Sequence, residues 1–320
     1  MKMGLVGAAG IAPIAVVNPA KHLEGVEVVG VAARDVDRAR SFAEEHGISR
    51  AYASYADLVA DDSIDALYVG LPNSLHARWA IAGLEAGRHV LCEKPFASNA
   101  VQAALMVETA ERTGRWLIEA FHWRYHPVAA RMLELSKTVG ELVSIESRFD
   151  ALITDRSNIR HDLGLAGGAM MDLGCYTLHF VRTIAGEEPE VKSATAIEGS
   201  PGIDLSMEAQ LAFPSGATAS IGCSMTRSTR PFVHIVGRDG WVHVENPMAP
   251  QNGHRITAQL PDSSVVDEEL DLRPSYFFQL GSFAGVLAGT EKPLTGGSDA
   301  VANMAAIDAI YEASGLGARH

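Results

Sequence analysis

From Met1 to Ala120 the chain alternates short apolar blocks with amphipathic stretches. Lys2–Gly7 reads as a short apolar strand. Ile11–Leu23 reads as a helix that tolerates Pro13 in its first turn, where a missing N–H costs nothing. Val26–Ala33 is a β-branched run of the kind that lies buried on both faces of a sheet. Asp35 then predicts an N-cap for a helix over Val36–His46 that Gly47 ends. Ile64–Gly70 is a third strand, followed by a helix over Leu75–Ala86 closed by Gly87. A strand over His89–Cys92, a helix over Ala100–Thr113 closed by Gly114, and a strand over Trp116–Ala120 complete the series. Such alternation through short loops demands right-handed crossovers and predicts a doubly wound parallel sheet.

The pattern changes after Gly140. Leu142–Phe149, Glu190–Glu198, Ser206–Phe213, Ala217–Met225, Phe232–Gly237 and Trp241–Glu245 show strand-like alternation. Pro214–Gly216 and Arg238–Gly240 read as hairpin loops. A helix over Met170–Ala185 interrupts the strands, and helices over Tyr276–Ala288 and Ala300–Ser314 close the chain. The second half is therefore expected to be α/β with a largely antiparallel, open sheet and helices on one face. We place the boundary between domains at residues 121 and 122, giving domains of 1–121 and 122–320.

Composition narrows the function classes. At 320 residues, two domains are the natural division. A net charge of −13 argues against nucleic acid and against an acidic membrane surface, since both need clustered Lys and Arg. The three cysteines, Cys92, Cys175 and Cys223, cannot all pair and form no CxxC, which points to buried thiols in a reducing, cytoplasmic compartment. The apolar run after Lys2 looks like a signal peptide, but Gly7, Gly10 and Pro13 interrupt it. No stretch reaches the ~18–20 apolar residues that span a bilayer.

The segment Gly7-Ala8-Ala9-Gly10-Ile11-Ala12 sits between the first strand and the first helix, where a dinucleotide fingerprint belongs. It is a degraded GxGxxG whose small residues still let the backbone approach a pyrophosphate. At the end of the second strand, Arg34 offers a fork for the 2′-phosphate of NADP, with Arg38 one turn on. Asp35 suits the 2′-hydroxyl of NAD instead. We take NADP as the cofactor and NAD as the alternative. Glu93-Lys94-Pro95 follows the fourth strand, and Leu71-Pro72-Asn73 with His76 follows the third, so both loops share an edge with the glycine turn. In GGAMMDLGCYTLH (Gly167–His179), spacings of four and three put Asp172, Tyr176 and His179 along one helix face. That spacing fits an acid/base pair as well as it fits capping and packing.

Together these segments resemble the Gfo/Idh/MocA family of oxidoreductases over nearly the whole chain. The most specific pieces are VLCEKPFA (Val90–Ala97), EAFHWRYHP (Glu119–Pro127) and GGAMMDLGCY (Gly167–Tyr176). Ala32–Gly47 with Ala51–Leu58 is similar to the NADP-using branch that holds dimeric dihydrodiol dehydrogenases and sugar dehydrogenases. The resemblance implies a Rossmann domain and then an α/β domain whose open sheet often serves for oligomerisation, hence a homodimer or homotetramer. It implies Lys94 as the active-site lysine, Tyr176 as the proton-transfer residue in place of a histidine, and Asp172 as its neighbour. A free phenol titrates near pH ~10, too high for a base at neutral pH, and a neighbouring cation favours its ionised form. The implied reaction is hydride transfer between NADP(H) and a carbinol carbon of a small-molecule substrate: a sugar, polyol or cyclic diol. Gly7, Ala8, Gly10, Ile11, Ala12, Arg34, Arg38, Leu71, Pro72, Asn73, His76, Glu93 and Lys94 are the expected cofactor contacts; no metal is expected. His122, Arg124 and Arg160 are candidates for substrate hydroxyls or cofactor phosphate, the alternative for both arginines being to brace the domain junction. The sequence departs from the family pattern at Ala9 and at His122, a position that tends to line the substrate pocket. Two rival readings are a non-catalytic NADP-sensing regulator and an NAD-assisted glycoside-cleaving relative.

Overall fold

The computed structural model describes residues 1–320. By contacts the chain forms two compact units, Met1–His122 with Tyr276–Val301, and Trp123–Ser275 with Ala302–His320. A single cut at 121/122 does not describe this partition, because a late segment folds back into the first unit. Thr295 Oγ1 donates to the Glu119 carbonyl at 2.6 Å, and a Cβ on Gly296 would stand 2.8 Å from the Leu117 carbonyl. Sequence periodicity cannot reveal such a return, since it is a pairing between distant segments.

The first unit holds β1 (Lys2–Val6), α1 (Asn18–Ala20), β2 (Glu27–Ala32), α2 (Val36–His46), β3 (Arg50–Tyr52), α3 (Tyr55–Ala60), β4 (Ala66–Val69), α4 (His76–Glu85), β5 (His89–Cys92), α5 (Ala100–Thr113) and β6 (Leu117–Glu119). The strands pair in parallel in the order β3-β2-β1-β4-β5-β6. The order in which the strands are laid down therefore reverses between β1 and β4, the position at which open α/β sheets bind ligands beyond their carboxyl ends. Register aligns those ends: Ala32 pairs with Val6, Val6 with Val69, Val69 with Cys92, and Cys92 with Glu119.

Asp35 caps α2 as expected, accepting from the Asp37 amide at 2.7 Å. The helix expected over Ile11–Leu23 is broken instead. Pro13–Val17 is a π-turn and α1 is a single short turn. Pro13 and Pro19 remove two amide donors, so a regular ladder cannot run through the segment. β3 and α3, too short to stand out as periodic runs, were not anticipated.

The second unit begins with α6 (Pro127–Ser136), β7 (Leu142–Asp150) and α7 (Cys175–Ala185). It continues through β8 (Glu190–Glu198), β9 (Asp204–Ala212), β10 (Thr218–Ser224), β11 (Phe232–Gly237), β12 (Trp241–Glu245), β13 (Arg255–Gln259) and β14 (Val265–Glu268). The strand order is β14-β13-β12-β11-β7-β10-β9-β8, antiparallel except for the β7–β10 pair. Ile145, Met207, Ala209, Ile221, Val233, Ile235, Val242 and Val244 make a buried inner face. The other face carries Glu146, Arg148, Glu208, Gln210, His234 and His243, none of them buried. This is the alternation of a one-sided antiparallel sheet. β13 and β14 were missed by the sequence pattern. The late helices are α8 (Ser275–Leu287) and α9 (Gly297–Ser314). All three cysteines are buried and none is in a disulfide, and no helix is long and apolar enough to cross a membrane.

Candidate functional site

The glycine turn lies at the carboxyl end of β1. Gly7 has φ +115°, and a Cβ there would stand 2.5 Å from the Gly70 carbonyl oxygen. Glycine is required because the β1 and β4 loops meet at this point. Gly10 differs, since a Cβ on it would meet nothing within 4 Å. The Ala12 amide is used locally, donating to Ala9 O at 3.0 Å, whereas the Gly10 and Ile11 amides donate to no carbonyl of the chain. A small-residue turn with two unclaimed N–H groups at the start of a helical segment fits a pyrophosphate. Ala8 lies buried behind it, and its carbonyl accepts Arg38 Nη2 at 2.8 Å. Arg38 thus braces the turn itself.

At the end of β2, Arg34 is exposed and lies beside the Tyr55 phenol. Burial pushes the Tyr55 pKa up, while the Arg34 and Arg38 cations pull it down, so all three groups sit close together. The Tyr55 ring meets Trp79 edge-on at 5.0 Å, and the Arg78 guanidinium lies 5.2 Å from a Trp79 ring centroid. Sequence reading missed Tyr55 and Trp79 as site residues, which look like ordinary helix residues until the fold brings Tyr55 beside Arg34 and packs Trp79 against the Tyr55 ring.

The β4 and β5 loops meet through His76. Its Nδ1 lies 2.9 Å from Pro95 O and its Nε2 2.8 Å from Leu71 O. Both polar edges of this buried ring face protein carbonyls, so His76 clasps the Leu71–Asn73 loop to the Glu93–Pro95 loop and has no free edge for a cofactor. Burial depresses its pKa, and the neutral ring donates to one carbonyl only. Leu71, Pro72 and Asn73 are half-buried at the same edge. Glu93 also turns inward: its buried carboxylate accepts the Tyr68 hydroxyl at 2.8 Å and the Lys94 amide at 3.2 Å. The Lys94 side chain is half-buried, and its charge reaches His76. His122 is buried, its ring centroid 4.0 Å from that of Tyr276.

In the second unit, Met170–Gly174 is a π-turn that leads directly into α7, so the expected helix opens with a wider turn. Such turns recur at functional sites. Arg160 Nε pairs with Asp172 Oδ2 at 2.5 Å. The Asp172 charge, foremost, holds the Arg160 pKa above its ordinary value, and Tyr176 adds to the effect. Arg160 is therefore paired with Asp172 and within electrostatic reach of Tyr176. Tyr176 is buried, with the Phe149 ring edge-on at 5.8 Å. His179, expected on the same helix face, is buried and accepts Trp123 Nε1–H at Nδ1 over 3.1 Å. Arg124 is half-buried in the 3₁₀ turn His122–Tyr125.

Comparison with known proteins points the same way over most of the chain. Residues 1–121 match the oxidoreductase family with an NAD-binding Rossmann fold, GFO/IDH/MocA, and residues 128–243 match the GFO/IDH/MocA C-terminal domain. The chain is 37% identical over 323 residues to D-xylose 1-dehydrogenase (NADP(+)) 2 of Haloferax volcanii, covering 99% of this chain and 98% of that one. It is 34% identical over 226 residues to trans-1,2-dihydrobenzene-1,2-diol dehydrogenase of Sus scrofa, covering 69% of this chain and 67% of that one. A solved 3-ketoreductase from Actinomadura kijaniata, in complex with NADP and TDP-benzene, superimposes with a TM-score of 0.90 at 25% identity, over 98% of this chain and 97% of that one.

Proposed function

The chain belongs to the Gfo/Idh/MocA family of NAD(P)-dependent oxidoreductases, and on that premise we propose hydride transfer between NADP(H) and the carbinol or carbonyl carbon of a sugar, polyol or cyclic diol, with Tyr176 as acid/base assisted by Lys94. The observation that carries this reading is the buried Tyr176 beside an arginine that Asp172 holds in place. A cation near a phenol favours the phenolate, which lets the phenol take a hydroxyl proton near neutral pH. Arg160 joins Lys94 in that role, and Asp172 acts by orienting Arg160.

The bound nicotinamide supplies the hydride donor or acceptor. The turn Gly7–Ala12 holds the pyrophosphate through the Gly10 and Ile11 amides, with Ala8 and Ala12 as small backing residues. Arg34 holds the 2′-phosphate, Tyr55 backs it, and Arg38 keeps the turn in shape. Leu71, Pro72, Asn73, Glu93 and Lys94 border the cofactor, with His76 locking their loops together. His122, Arg124 and Arg160 are the residues we assign to the substrate side. NADP is favoured over NAD because the xylose dehydrogenase relative is named for NADP(+) and the ketoreductase was solved with NADP. The first unit is the dinucleotide-binding part. The second carries the acid/base group and a sheet face that suits a homodimer or homotetramer. Three cysteines without a disulfide fit the cytoplasm.

The test is a screen of aldoses, polyols and trans-diols with NADP and with NAD, following absorbance of the reduced nicotinamide. Turnover with NADP and at least one such substrate is expected. Tight NADPH binding with no net turnover on any of them overturns the reading in favour of a redox sensor. Sugar cleavage without net reduced cofactor favours the glycoside-cleaving alternative.

A further inference from the structure

Behind the turn that carries Asp172 lies a buried carboxylate. Asp204, the first residue of β9, is fully buried. Its Oδ2 accepts the Met170 amide at 2.7 Å, the N–H that opens the π-turn Met170–Gly174. Its Oδ1 accepts Arg319 Nη2 at 2.7 Å and the Tyr311 hydroxyl at 2.9 Å. The Arg319 guanidinium also lies 3.9 Å from the centroid of the Tyr311 ring. Gly168, at φ +125°, fits against this group: a Cβ there would overlap Asp204 Oδ1 and stand 2.8 Å from the Tyr311 hydroxyl. The Gly168 amide donates to the Arg160 carbonyl at 2.9 Å, and the Arg160 side chain holds Asp172. One line of contacts thus runs from Arg319 to the segment that bears Tyr176.

Given the acid/base role of Tyr176, on which this rests, we propose that Arg319 is a positioning residue: it keeps the Asp204 carboxylate charged and aimed, and Asp204 fixes the first turn of the segment carrying Asp172 and Tyr176. A carboxylate at the start of a helical segment satisfies an amide that has no helical partner and sits at the favourable end of the local dipole. Such a buried charge holds its place only while its counter-charge is present. Without Arg319 the carboxylate takes up a proton or draws in water, and the Met170 amide loses its anchor. A shift of about 1 Å in a reacting group costs on the order of 10²-fold in rate.

The test uses the full chain with Arg319→Met, which keeps the bulk of the stem and removes the charge. We expect kcat to fall about 10²-fold with NADPH affinity little changed, because the glycine turn is untouched. Hydrogen exchange in peptides covering residues 168–178 is expected to quicken roughly tenfold while other segments keep their protection. Adding Asp204→Asn removes the uncompensated charge and leaves an oxygen for the Met170 amide, so it should restore both kcat and protection to within about tenfold of wild type. Wild-type kcat and exchange in Arg319→Met overturn the proposal. So does exchange that quickens evenly over the chain without rescue by Asp204→Asn, since that is general destabilisation. Local, rescued exchange together with a Tyr176→Phe variant of normal turnover supports the positioning and overturns the acid/base reading instead. Should Arg319→Met not fold, Arg319→Gln takes its place, since it keeps hydrogen-bond donors but no charge; a local rise in exchange with a fall in kcat supports the proposal, and wild-type kcat and exchange overturn it.

Discussion

The two fingerprint glycines separate a structural requirement from a binding one. At Gly7 a Cβ would stand 2.5 Å from the Gly70 carbonyl oxygen and 3.0 Å from Leu71 Cδ2, where ordinary contacts begin at 3.4 Å. The Gly70 backbone cannot easily yield, because its amide is bonded to Val6 O at 3.1 Å. Adding a positive-φ penalty of about 1–2 kcal/mol to an overpacking cost of about 1–3 kcal/mol, Gly7→Ala should destabilise the protein by roughly 2–5 kcal/mol. Gly10 has open space and no unusual φ, so Gly10→Asp should change stability by no more than about 0.5 kcal/mol. On the proposed placement of the pyrophosphate, its new carboxylate would face the cofactor phosphates. A like charge about 4 Å away costs between about 1 kcal/mol in a water-like medium and about 4 kcal/mol at a protein surface, or roughly 5- to 10³-fold in affinity. Thermal melts measure the first effect and NADPH fluorescence titration the second. Gly10→Asp that melts normally and binds NADPH as the wild type does would refute the placement of the pyrophosphate. A normal melt for Gly7→Ala would refute the steric account of the turn.

Tyr176→Phe should lower kcat by about 10²–10⁴-fold and remove the basic limb of the kcat/KM profile for oxidation. Lys94→Ala should cost a similar amount, and the double variant should be scarcely worse, because groups acting as one unit are not additive. Near-normal turnover in Tyr176→Phe, or losses that simply multiply, would make Tyr176 a packing residue. Arg34→Ala should weaken NADP far more than NAD, since only NADP presents the 2′-phosphate to a guanidinium fork; equal losses in dissociation constants would defeat that assignment. Acid stability has a definite sign at His126, whose Nδ1 accepts the Val128 amide at 3.1 Å and so must stay unprotonated to cap α6. Burial lowers its pKa from 6.5 to about 4, so the unfolded chain takes up the proton first, and stability that is complete above pH 6.5 is lost as pH falls towards 4. Melting temperature against pH should show that loss, and His126→Asn, which caps without titrating, should flatten it; parallel curves for the two proteins would count against the mechanism.

Much of this protein was determined by local sequence alone. The strands of the first unit other than β3, the Asp35 cap and the hairpins at Pro214–Gly216 and Arg238–Gly240 follow from side-chain period, capping chemistry and turn residues, which act over a few positions. The carboxyl-edge placement of Gly7–Ala12, Arg34, Leu71–Asn73 and Glu93–Lys94 also followed, because parallel strands joined by right-handed crossovers put every strand-to-helix loop on one edge. Tertiary structure decided what each side chain in those loops does. His76 and Glu93 share that edge with the glycine turn, yet they turn to Pro95, Leu71 and Tyr68. Arg38 binds the turn's own carbonyl, and Asp172 meets Arg160. The breakdown of the first helix into a π-turn depended on how two prolines were accommodated. The return of residues 276–301 to the first unit, and the seating of Arg319 on Asp204, join segments separated by more than a hundred residues. Periodicity and propensity are local properties, whereas the partner of a buried polar group is chosen by whichever distant chain the fold brings within hydrogen-bond reach.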